Sequence, residues 1–73
     1  MPIVHIDILE GRTPEKIERM IVSVSEAIAE SLETPIDGVR VIVNEMAAGH
    51  YGLGGKPYRV IKAERDAEAA TSG

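Results

Sequence analysis

The sequence predicts a small α/β (α+β) domain built on a β-α-β unit. Three observations predict it. Pro2 to Leu9 and Val39 to Glu45 are short runs rich in β-branched residues. Between them, Ile17, Met20, Ile21, Val24, Ala27, Ile28 and Leu32 recur at spacings of three and four, which is one apolar stripe of a helix. The helix is long enough to carry the chain back across a sheet, so the two strands run parallel, joined by a right-handed crossover.

Each element has its own signals. In the first strand Val4, Ile6 and Ile8 share one purely aliphatic face, which suits a helix. Ile3, His5, Asp7 and Leu9 share the other, a mixed face that suits an interface or a site. Glu10-Gly11-Arg12 connects to the helix. Thr13 fits the N-cap, Pro14 the first helical position and Glu15 the first turn, so the helix runs from about Pro14 to Leu32. Thr34-Pro35-Ile36-Asp37-Gly38 stops it. In the second strand Arg40 sits among valines. Solvent at a sheet edge and an anion-binding face covered by a partner both fit it.

Met46-Ala47-Ala48 suits a short helical turn. Gly49-His50-Tyr51-Gly52-Leu53-Gly54-Gly55 carries four glycines and reads as tight turns or a hairpin. It lacks the spacing of a phosphate-binding loop. The domain therefore spans 1–57. Residues 58–73, rich in Ala, Glu and Arg, form an extension expected to be a short helix that frays over the last four residues.

Composition excludes several classes of function. The chain has 73 residues, one domain at most, and 44% are hydrophobic, yet it holds no Cys, Phe or Trp. So small a domain is marginal alone, and neighbouring subunits are the simplest cover for its apolar surface. A net charge of −4 argues against nucleic acid, which calls for a basic face. No apolar run reaches the roughly 18 residues of a membrane span, and no signal peptide is evident, so a cytoplasmic location is expected. His5, Asp7 and His50 read as polar groups at the surface rather than as metal ligands, and no metal is expected.

Four features in order, Pro2 behind the initiator methionine, "ILEGR" ending in Arg12, "VRVIVNEM" carrying Arg40 and "GHYGLGG", resemble the 4-oxalocrotonate tautomerases of the tautomerase superfamily. The resemblance covers about Pro2 to Gly55. It implies a β-α-β protomer with a terminal hairpin, dimers sharing a four-stranded sheet, and a homohexamer made as a trimer of dimers. It also implies a cofactor-independent isomerase of enol acids, such as 2-hydroxymuconate in aromatic-compound catabolism, with a site built from several chains. By position Pro2 matches the catalytic proline, Arg12 and Arg40 the functional arginines, and Leu9 and Leu53 apolar wall positions. Tyr51 falls where a phenylalanine is usual, so its hydroxyl is a departure.

The chemistry of these residue types suits those roles. Removal of Met1 turns the Pro2 nitrogen from an amide into a secondary amine. An α-amino group ordinarily titrates at about 7.7–8.0. Apolar surroundings and nearby arginines both disfavour its charged form, which would leave it neutral and basic near pH 7. Arginine grips carboxylates with two parallel hydrogen bonds and stays charged. In this reading Arg40 holds the carboxylate beside the 2-oxygen and Arg12 the distal one. Two other readings stay open. One is a hydratase or dehalogenase of unsaturated acids, with Asp7 or Glu10 as the added carboxylate. The other is a non-catalytic oligomeric module in which Pro2 only opens a strand and Arg12 only complements a turn.

Overall fold

The computed structural model of the chain describes residues 1–72, with side chains through Glu68. Strand β1 (Ile3–Leu9) leads to helix α1 (Pro14–Leu32), which returns the chain to β2 (Arg40–Met46). β1 and β2 pair in parallel, with Ile3 opposite Arg40 and Leu9 opposite Met46. Val4, Ile6, Ile8, Val41 and Val43 are half-buried on the face that meets α1. The other face, with Ile3, His5, Asp7, Arg40, Ile42 and Asn44, is exposed.

Local chemistry explains the boundaries. Thr13 caps α1: its hydroxyl accepts the Lys16 N–H at 3.3 Å, with Pro14 in the first turn. Glu33 ends the helix at φ 51°, where its N–H reaches back to the Ala29 and Glu30 carbonyls. A 3₁₀ turn at Ile36–Gly38 follows. This turn shifts β2 by one residue from the expected Val39–Glu45, because the Val39 N–H donates to the Ile36 carbonyl instead of the sheet. Met46 lies in β2 rather than in a helical turn, and the turn forms two residues later, at Ala48–His50.

The hairpin is β3 (Gly52–Leu53) paired antiparallel with β4 (Lys56–Pro57). Gly54 and Gly55 join them at φ +60° and +83°, the pair of positive angles a type I′ turn requires. Helix α2 (Tyr58–Ser72) starts directly after β4. Fraying was expected over Ala70 to Gly73. α2 extends to Ser72, and Gly73 lies outside the described residues.

The chain does not close a core by itself. None of the described residues is fully buried. Ile3 is 54% exposed and Ile42 48%, so aliphatic side chains face outward on the open sheet face. The radius of gyration is 16.7 Å, whereas a compact domain of this length has about 11 Å. The accessible area is 5599 Å², against about 4,400 Å² for a compact monomer of this mass. No helix is long and apolar enough to cross a membrane among the described residues.

Replacing Thr13 with Ala removes the α1 cap and should cost about 1 kcal/mol. Urea unfolding at fixed protein concentration checks this, with Thr13→Ser expected to behave as wild type.

Candidate functional site

The parallel register sorts the expected site residues to two ends of one sheet. Pro2 stands immediately before β1, half-buried, and its carbonyl accepts the Arg40 N–H at 3.0 Å. Arg40 opens β2 on the exposed face, and its guanidinium Nη1 donates to the Asp37 carbonyl at 2.9 Å. Leu9 and Arg12 lie at the opposite end. β1 alone spans about 20 Å at roughly 3.3 Å per residue, so Pro2 and Arg12 of one chain cannot grip one small substrate.

The far end holds a cavity of about 400 Å³ lined by Asp7, Ile8, Leu9, Arg12, Met46 and Tyr51. Sequence builds it step by step. Leu9 is the last residue of β1, and its register brings Met46 beside it. The Glu10 N–H closes the strand end on the Met46 carbonyl at 2.8 Å. Gly11, at φ +122°, makes a bend that side-chain-bearing residues rarely adopt. Beyond it the Arg12 Nη1 donates to the Leu9 carbonyl at 3.0 Å.

Both arginines are thus tethered by a main-chain carbonyl three residues earlier, and neither has an ion-pair partner among the described residues. A tether of this kind fixes the guanidinium but leaves its charge uncompensated. Four of the five N–H donors of each remain for a planar anion. Asp7 also faces the cavity, with its Oδ1 accepting from Asn44 Nδ2 at 3.3 Å across the paired strands.

Of the expected wall residues, Leu9 and Tyr51 meet Arg12 at the cavity, whereas Leu53 is exposed in the hairpin and does not line it. Met46 and Ile8 belong to the lining but were not among the expected substrate contacts, and Asp7, named above as a carboxylate for the alternative chemistry, joins them. Only the parallel pairing of Leu9 with Met46 points to Met46, and that pairing is a tertiary fact. Glu10 is exposed and outside the cavity.

Comparison with known proteins places this arrangement among relatives. The family model described as "Tautomerase enzyme" matches residues 2–61. A 2-hydroxymuconate tautomerase of Pseudomonas putida is 57% identical over 56 residues, which cover 77% of this chain and 89% of that one. Among solved structures, TomN, a 4-oxalocrotonate tautomerase homologue of the tomaymycin biosynthetic pathway, superposes with a TM-score of 0.82 at 32% identity, over 85% of this chain and 95% of its own. A heterohexamer 4-oxalocrotonate tautomerase from Chloroflexus aurantiacus J-10-fl gives a TM-score of 0.78 at 30% identity, over 81% and 95%.

Arg12→Ala should weaken binding of an unreactive dicarboxylate about tenfold or more, since a charge-assisted hydrogen bond is worth about 1.5–3 kcal/mol. Titration calorimetry with a matched monocarboxylate, which should change less than about twofold, separates loss of this contact from general disruption.

Proposed function

This chain belongs to the 4-oxalocrotonate tautomerase family of the tautomerase superfamily and is an isomerase; from that premise we propose that it ketonises 2-hydroxydienoates and related enol acids, 2-hydroxymuconate among them, without a cofactor. The observation that carries the substrate class is the pair of tethered arginines with no carboxylate partner among the described residues, in a chain whose net charge is −4. In so acidic a chain, guanidinium groups left without acidic partners are suited to carboxylates brought by a ligand.

The proposed site is shared between copies. Pro2 and Arg40 of one chain face the Leu9, Arg12 and Tyr51 end of another. The outward aliphatic side chains and the excess accessible area support such an assembly. A homohexamer, a trimer of dimers that share a four-stranded sheet, is the form favoured here, given that one structural relative is described as a heterohexamer.

The reaction then needs only these groups. With Met1 removed, the Pro2 nitrogen is a free secondary amine. It takes the proton of the 2-hydroxyl, the electron pair shifts through the diene, and the proton is delivered to carbon at the far end. The product is the conjugated ketone, and the base is regenerated. Arg40 binds the carboxylate next to the 2-oxygen and offsets the charge that develops there. Arg12 binds the distal carboxylate and so fixes which carbon lies over the base. Leu9 and the Tyr51 ring keep the surroundings poor in water, which strengthens both contacts and favours a neutral amine.

One observation favours a second reading, hydration or dehalogenation of an unsaturated acid: the Asp7 carboxylate faces the same cavity as Arg12. Its hydrogen bond from Asn44 would orient it toward a water molecule.

Pro2→Ala tests the first reading. Ketonisation of 2-hydroxymuconate should fall about 10²-fold or more, the usual share of a general base. In the wild type kcat/KM should decline as pH falls through the pKa of the free amine, because the protonated form cannot accept a proton. Unchanged turnover in Pro2→Ala rejects the assignment, and a hydrated product detected by mass would favour the second reading.

A further inference from the structure

Tyr51 sits in a segment with little to hold it. It lies between the 3₁₀ turn Ala48–His50 and the two-residue strand β3, flanked by Gly49 and Gly52. Glycine leaves such a stretch free to sample many conformations. Yet Tyr51 is half-buried and lines the cavity that holds Arg12.

Tyr58 is what restrains it. The Tyr58 N–H donates to the Tyr51 carbonyl at 2.6 Å. The two rings pack with centroids 5.9 Å apart at a tilt of 55°, within the range of a favourable aromatic pair. Tyr58 therefore grips Tyr51 by main chain and side chain together. Tyr58 is the first residue of α2, half-buried, and α2 is seated on the hairpin by the Lys56–Glu64 ion pair at 3.5 Å. That pair is more than half exposed and contributes little alone. Most of α2 lies past residue 61, where the family match ends.

We infer that Tyr58 is a positioning residue, through which α2 holds the Tyr51 ring as a fixed wall of the Arg12 cavity and so limits the size of the substrate end the cavity accepts. This inference rests on the enol-acid reading for its kinetic consequence but not for its structural one. A fixed ring gives a closed, apolar boundary beside the guanidinium. A loose ring admits water and bulkier groups and lowers discrimination between them.

The experiment uses the full-length assembled protein and the variants Tyr58→Ala, Tyr58→Phe and Tyr51→Ala. Tyr58→Ala should raise KM for 2-hydroxymuconate about three- to tenfold, the range expected for losing one aromatic pair, with kcat within about twofold. Tyr58→Phe keeps the ring and the backbone N–H and should restore wild-type KM. Combining Tyr58→Ala with Tyr51→Ala should add nothing beyond Tyr51→Ala alone. A readout independent of turnover is the methyl resonance of Met46, which lines the same cavity as Tyr51. It should shift in Tyr58→Ala, hold in Tyr58→Phe, and do so even if the protein proves inactive on enol acids. An unmoved Met46 resonance, or fully additive effects of the two tyrosines on KM, overturns the inference.

Discussion

The parallel register of β1 on β2 is the constraint from which the rest follows. Ile3 opposite Arg40 and Leu9 opposite Met46 fix which strand residues stand at each end of the sheet. Pro2 and Arg40 are carried to one end of the sheet. Arg12, the Leu9 wall and Tyr51 are carried to the other. The proposed site, which needs both ends, would be completed by another copy of the chain. Association then stands as a condition of the proposed chemistry as well as a remedy for a small core.

The same register explains the exposed surface. With α1 on one side, the half-buried valines and isoleucines are only partly shielded, and the opposite side presents Ile3 and Ile42 next to His5, Asp7, Arg40 and Asn44. Mixed faces of this kind suit a wet, specific contact better than bulk solvent. Burying them would lower the dielectric around the arginines and strengthen their attraction for carboxylates. In this way packing and electrostatics favour the same assembly.

Much of the scaffold was legible in the residues. The Thr13-Pro14 start and the three-four spacing set α1 to the bounds Pro14–Leu32. The aliphatic face of β1 identified the side that meets the helix, and the paired glycines marked the hairpin turn. Other features were not legible, for physical reasons. The edge of β2 moved by one residue because a 3₁₀ hydrogen bond captured the Val39 N–H. Met46 entered the cavity through strand pairing, which no local pattern encodes. Leu53, exposed in the hairpin, does not line this cavity within one chain. α2 shows a weak apolar pattern, with only Tyr58 and Ile61 half-buried among its described side chains, so its tie to Tyr51 is visible only in three dimensions.

The most direct test of a site shared between chains mixes two proteins, each impaired at a different residue. Pro2→Ala and Arg12→Ala are purified apart, combined in equal amounts, dissociated and reassembled, then assayed with a diacid at low concentration. Composite sites drawn from two chains predict recovered turnover at roughly a quarter of the sites, the share given by random mixing. If the mixture reassembles and is no more active than its components, Pro2 and Arg12 do not serve one site from different chains, and the account fails.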